Sequence, residues 1–250
     1  MITVALVGAD GAGKTTIAQR LMTSLPVPLK YLYMGTSVES SNVTLPTARL
    51  ILVLKRRRYC KQMQRTGAPV PAVIATHHLE AHPTQRGPLG ATLRLLHRVA
   101  EEWYRQFVAW VYQRRGYLVL YDRHFLFEYN PASTETRHLL PRPDRVHLWL
   151  LDRFYPRPDL VIFLDAPPDV LLRRKQEWSL DHLRRFRSAV LQQGAATQNF
   201  VRIDAGQPLD QVVEAVSQTI MRFYAQRTVR SKNDPTPTLP RVGREQSREG

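Results

Sequence analysis

Short apolar runs recur along the chain, separated by longer stretches whose apolar residues return every three or four positions. Five runs read as buried parallel strands: Ile2–Val7, Tyr31–Met34, Tyr117–Tyr121, Leu160–Leu164 and Phe200–Ile203. Each is short and bounded by Gly, Pro or charge. Helical periodicity covers Thr15–Leu25, Leu89–Arg115, Arg145–Phe154, Pro168–Gln193 and Leu209–Arg227. Pro168 suits a first helical turn, and Gly116 and Gly194 stand where helices end. Strands alternating with helices predict an α/β fold, a parallel sheet covered on both faces. On the long helix Trp103, Phe107 and Trp110 share one face, which is expected to pack on the sheet, whereas Tyr104 and Tyr112 fall off that stripe.

Between Gly35 and Gly90 the pattern weakens. Pro46–Gln64 reads as a helix, but Pro69, Pro71, Pro83 and Pro88 break up the chain beyond it. Residues 36–90 are expected to be a substrate-side insertion between the second and third strands. The stretch 229–250, with Pro235, Pro237 and Pro240, has little apolar content and is expected to be a disordered basic tail. That leaves a single domain over residues 1–228, without internal repeats.

Composition narrows this picture modestly. With 250 residues and 43% hydrophobic content the chain can build a sizeable core. Cys60 is the single cysteine, which precludes an internal disulfide and fits a reducing compartment. No apolar run approaches the ~20 residues of a membrane span, and the first strand leaves no room for a leader. A cytoplasmic location is therefore expected. The net charge of +15 draws phosphorylated ligands, nucleic acid and anionic membranes alike.

Gly8-Ala9-Asp10-Gly11-Ala12-Gly13-Lys14-Thr15 spells GxxxxGK[ST], followed by Thr16, between a strand and a helix. Glycines let successive backbone N–H groups point at one anion beside a helix N-terminus. Gly8, Asp10, Gly11, Ala12, Gly13, Lys14, Thr15 and Thr16 are thus expected to bind a nucleoside triphosphate. Lys14 would reach the β- and γ-phosphates, and Thr15 would ligate Mg²⁺.

The third strand ends Tyr121-Asp122-Arg123. Asp122 could hold Mg²⁺, usually through water, act as a base on an acceptor hydroxyl, or simply cap the strand with Arg123. Arg123 would meet a phosphate as a planar donor. Arg173, Arg174 and Lys175 follow two turns of apolar helix after the fourth strand, near the edge where ligands bind in such folds. They could stabilise a transferring phosphoryl group or form a solvated basic turn. Arg184, Arg185 and Arg187 are weaker candidates for the same task.

Four segments together resemble the thymidylate kinase family. They are Gly8–Thr16, Gly116-Tyr117-Leu118-Val119-Leu120-Tyr121-Asp122-Arg123-His124, Pro158–Pro168 with Leu164-Asp165-Ala166-Pro167-Pro168, and Ile203-Asp204-Ala205-Gly206-Gln207-Pro208. The match covers the framework of residues 1–25, 89–124 and 158–226. It implies an ATP-dependent phosphotransferase: a three-layer P-loop kinase fold with a five-stranded parallel sheet, a lid near 173–187, Mg²⁺, and a homodimer. By position Lys14 would hold donor phosphates, Arg173 and Arg174 would belong to the lid, Arg123 would hold the acceptor phosphate, and Asp10 would approach an acceptor sugar hydroxyl. The family default acceptor is dTMP.

The acceptor side departs from that pattern. The second strand ends Tyr33-Met34-Gly35-Thr36-Ser37, without the family's arginine-bearing segment, and His124 stands where the family has Tyr. Arg98 and Arg105 lie on similar faces of the long helix, and Arg105 is the first candidate for an acceptor contact. The acceptor is expected to be a small phosphorylated molecule, a nucleotide first, with a non-nucleotide acceptor left open. Two rivals remain: a nucleotide-binding module or NTPase whose basic surface docks on nucleic acid or a partner, and a membrane-peripheral protein using Leu50–Arg58. His77, His78 and His82 lack accompanying ligands and read as a loop-borne polar cluster rather than a metal site. Arg56–Arg58 read as a solvated basic face.

Overall fold

Val4 and Leu6 alternate with Ala5 and Val7 on the first strand, and all four are buried, because both faces of the sheet are covered. The computed structural model describes residues 1–35, 41–50, 88–128, 141–175 and 178–233, with 53, 54 and 57. Its strands are β1 (Thr3–Val7), β2 (Leu29–Tyr33), β3 (Leu118–Asp122), β4 (Leu160–Asp165) and β5 (Phe200–Asp204). They form one parallel sheet in the order β2-β3-β1-β4-β5. The helices are α1 (Lys14–Ser24), α2 (Pro88–Arg114), α3 (Phe125–Glu128), α4 (Arg142–Phe154), α5 (Pro168–Arg174), α6 (Leu180–Ala195) and α7 (Leu209–Asn233).

The result is the expected three-layer α/β architecture, consistent with a P-loop kinase. On one face Val4, Leu6, Leu120 and Ile162 meet Ile17 and Leu21 of α1 and Val212, Val216 and Ile220 of α7. On the other, Ala5, Tyr121, Val161 and Phe163 meet Ala109 of α2, Phe125 of α3, Leu151 of α4 and Val190 of α6. Since β1 lies between β3 and β4, the chain reverses direction of travel across the sheet beside β1. That places the loop after β1 in the crevice at the carboxyl edge of the strands.

Two expectations require correction. The helix expected over Pro168–Gln193 is two helices. Lys175 is extended, and Ser179 starts α6 by accepting the His182 N–H at 3.2 Å. A serine cap overrides the apolar periodicity that runs through it. The aromatic stripe of α2 does not pack on the sheet: Trp103, Phe107 and Trp110 are 44%, 58% and 47% exposed. The buried face of α2 instead carries Glu101, Glu102, Arg105, Gln106 and Ala109. Its charged groups find partners inside, with Glu102 3% and His147 1% exposed in a pair 2.8 Å apart. Leu93, Leu96, Trp149 and Phe154 are exposed as well. A groove of about 490 Å³ opens beside the stripe, lined by Trp103, Phe107, Trp110 and Pro156.

Helix α7 runs to Asn233, past its expected end at Arg227. Of the stretch expected as a helix from Pro46, residues 46–50 are helical. The remainder of the insertion, with Arg56, Arg58 and the three histidines, and the tail from 234 on lie outside the described residues. Among the described residues, no helix is long and apolar enough to cross a membrane.

Candidate nucleotide-binding site

The loop after β1 reverses through Gly11 (φ 89°) and Gly13 (φ 84°), backbone conformations that a side chain would strain. A Cβ on Gly8 would stand 2.9 Å from the Leu164 carbonyl oxygen, so β1 and β4 can approach here only without one. Gly13 begins α1 with no side-chain cap, which leaves the first helical N–H groups to an anion. Lys14 is buried. Its Nζ donates to the carbonyls of Gly8 (2.8 Å) and Ala9 (2.9 Å) and lies 3.6 Å from Asp10 Oδ1.

The pleat of β3 places Leu118, Leu120 and Asp122 on the face covered by α1. Thr15 Oγ1 donates to Asp122 Oδ2 at 2.7 Å, and the Tyr31 hydroxyl of β2 donates to the same oxygen at 2.9 Å. Burial and the Asp122 charge push the Tyr31 phenol well above its usual range, so it stays a donor. Asp122 is fully buried, and its Oδ1 has no hydrogen-bond partner. An unpaired buried carboxylate oxygen beside a hydroxyl is costly in isolation. It is also the donor set that a hard cation such as Mg²⁺ accepts, with water completing the shell. Among the described residues no group of three His, Cys, Asp or Glu side chains forms an all-protein cage.

Arg123 has a left-handed backbone (φ 70°), uncommon for a residue with a side chain. The strain is held by its N–H bond to Leu6 O at 3.0 Å, which continues the ladder onto β1. Its guanidinium binds Asp10 Oδ1. Burial alone would raise the Asp10 carboxyl, but Lys14, Arg123, the Trp178 N–H and Lys175 outweigh it and hold it below the usual range. Asp10 is thus an anion ringed by donors.

Helix α5 packs over the loop. Arg174 donates to Ala205 O at 3.0 Å and reaches Gly11 O at 3.5 Å, whereas exposed Arg173 pairs with Asp169 of its own helix at 3.2 Å. The fold therefore brings Arg174, and not Arg173, to the phosphate loop. Arg105 is 1% exposed and donates to Gly35 O at 2.6 Å and to Glu101 at 3.0 and 3.3 Å. It braces the end of β2 from within. Arg98 lies outside this group, pairing with Asp144 at 3.3 Å. Gly35 admits no side chain: a Cβ there would lie 2.6 Å from Arg123 Cδ and 2.4 Å from the Tyr33 hydroxyl.

Several functional contacts are not evident in the sequence. Tyr31 shares the Asp122 carboxylate, and only its alternation with Tyr33 in β2 hints at two aromatics on opposite faces. Trp178 donates to Asp10 Oδ2 at 3.3 Å; a lone tryptophan at a helix junction is the one available signal. Asp165 takes Arg187 at 2.7 and 2.9 Å and Arg202 at 2.6 Å, fastening α6 and β5 to the end of β4. Arg187 accordingly serves Asp165 here. His124 is buried with both ring nitrogens unpartnered, between Tyr121 and Tyr155.

No protein-family profile matches the chain. A probable thymidylate kinase of Archaeoglobus fulgidus is similar to it, 32% identical over 115 residues. Those residues are 43% of this chain and 55% of the archaeal protein, so the chain spans about half the length of that curated relative. The similarity supports a thymidylate kinase-like relationship over part of the chain.

Proposed function

We propose that this protein is an ATP-dependent phosphotransferase that moves the γ-phosphoryl group of ATP to a nucleoside monophosphate, with dTMP the first candidate. What carries the reading is the meeting of groups far apart in sequence at one sheet edge. The glycine loop and Lys14, the Thr15–Asp122 pair, Arg123 and Arg174 all converge there.

Loop N–H groups and Lys14 bind the β- and γ-phosphates, Lys14 exchanging the loop carbonyls for phosphate oxygens. Thr15 and Asp122 would hold Mg²⁺, which when bound offsets the polyphosphate charge. Arg123 exchanges Asp10 for the acceptor phosphate, freeing the Asp10 carboxylate to accept from an acceptor hydroxyl. An acceptor oxygen forms the new bond to the γ-phosphorus. The bond from that phosphorus to the β–γ bridging oxygen breaks, and its electron pair leaves with ADP. Arg174, beside the loop, stabilises charge spread over the transferring oxygens.

A homodimer belongs to the same proposal. Trp103, Phe107, Trp110, Trp149 and Phe154 are each about half open. At roughly 150–250 Å² per ring side chain they leave roughly 400–600 Å² of apolar surface, approaching the ~800 Å² per partner of a standard interface. Leu93, Leu96 and Val146 add to it. The test of the catalytic reading is ADP release from Mg·ATP across a panel of nucleoside monophosphates. Acceptor-stimulated turnover that Lys14→Ala removes supports it, and turnover indifferent to every acceptor counts against it.

A further inference from the structure

Trp178, at the junction of α5 and α6, takes no part in handling donor phosphates, yet it reaches their loop. Its indole Nε1–H donates to Asp10 Oδ2 at 3.3 Å, while Asp10 Oδ1 takes Arg123. One carboxylate therefore joins the end of β3 to the α5–α6 junction. His182, in the first turn of α6, stacks on the indole with ring centroids 4.1 Å apart and planes 19° from parallel. The imidazole covers one face of the indole, which remains 40% exposed.

A tryptophan held flat by a stacking partner, with a carboxylate at its edge and a guanidinium beyond, suits a particular ligand chemistry. The C–H face of a sugar ring lies on the indole, a ring hydroxyl donates to the carboxylate, and a phosphate meets the guanidinium. A linear phosphorylated alcohol would satisfy Asp10 and Arg123 but leave the indole bare.

We propose that Trp178, backed by His182, is the ring-binding wall of the acceptor subsite, and that the acceptor is a phosphorylated ring sugar, free or carrying a base. The proposal rests on the phosphotransferase reading and adds the feature of the acceptor that is recognised.

The test uses the full chain saturated with Mg²⁺ and a non-hydrolysable ATP analogue. Affinities are measured by calorimetry for dTMP, dCMP, AMP, GMP, ribose 5-phosphate and glycerol 3-phosphate. At least one ring-bearing probe binds about 10-fold or more tighter than glycerol 3-phosphate, and Trp178→Ala reduces that preference to within about two-fold. Trp178→Phe keeps the preference, since the stacking surface remains. His182→Ala weakens it about three-fold without touching Asp10. A loss in Trp178→Ala shared by ribose 5-phosphate assigns the wall to the sugar, and a loss confined to nucleotides extends it to the base. The proposal is overturned if no ring-bearing probe is preferred, or if the preference survives Trp178→Ala. Binding of the ATP analogue, read first in each sample, shows that the variant is folded. Its absence in the unaltered chain would defeat the phosphotransferase reading itself, whereas ATP binding with an unchanged ring preference defeats only the wall.

Discussion

Thr15 Oγ1 and Asp122 Oδ2 lie 2.7 Å apart although 107 positions separate them. The contact exists because β3 pairs with β1 in a register that sets Asp122 opposite Leu6, just before the loop that leads into α1. The Tyr31 hydroxyl shares that oxygen, which fixes the carboxylate with its other oxygen buried and unpaired.

The pair predicts a magnesium-dependent gain in ATP affinity. Asp122→Asn should reduce the gain by about 10-fold or more, about 1.4 kcal/mol. Thr15→Ala should act in the same direction. Tyr31→Phe removes one hydrogen bond that only orients the carboxylate, so its effect should be about five-fold, or ~1 kcal/mol. Titrations of ATP with and without Mg²⁺ decide it, and an undiminished gain in Asp122→Asn would remove the assigned role.

His124 predicts how stability varies with pH. Burial keeps its imidazole neutral, pushing the pKa down to about 3. An unfolded chain protonates it near pH 6.5, while the folded chain does not until near pH 3. Stability present above pH 6.5 is therefore lost as pH falls through that window, at about 1.4 kcal/mol per pH unit. Urea unfolding of the unaltered chain should lose about 2 kcal/mol more between pH 7 and pH 5 than His124→Phe does. Equal losses in the two proteins would show that His124 titrates normally.

Asp165 predicts a structural cost. Its carboxylate is 3% exposed, while Arg187 and Arg202 are 38% and 55% exposed. The carboxylate in turn raises the Arg187 guanidinium above its usual value. Asp165→Asn leaves two guanidiniums facing a neutral amide. Solvent screens both, so the expected loss is about 2 kcal/mol rather than the larger figure for a fully buried ion pair. Denaturant midpoints measure it, and a change below about 0.5 kcal/mol would show that α6 is held by its apolar contacts alone.

The strands and the loop are legible in the sequence because buried parallel strands are short uniform apolar runs, and glycine spacing encodes backbone conformation directly. Asp122 and Arg123 are legible because they end such a run. The break at Ser179 is not: its cap competes with an apolar period that continues across it. The orientation of α2 is hidden for a related reason. Periodicity identifies an apolar stripe but not the side on which its cover lies, and here charged residues turn inward to partners supplied by β2 and α4. Trp178 and Tyr31 reach the site from elements remote in sequence, and no local pattern announces such contacts.

The exposed aromatics of α2 predict self-association. Phe107→Glu places a charge in the middle of the stripe and should shift sedimentation from dimer to monomer while leaving ATP affinity within about two-fold. Monomeric behaviour of the unaltered chain at micromolar concentration would contradict the dimer.

The most direct measurement traces the phosphorus itself. The full chain is given ATP labelled in the γ-phosphoryl group, with Mg²⁺ and each nucleoside monophosphate in turn, and the label is located among the products. The account predicts label in a new nucleoside diphosphate, reduced about 100-fold or more by Lys14→Ala and strongly by Arg123→Ala. Label recovered only as inorganic phosphate, with every acceptor present, would contradict it.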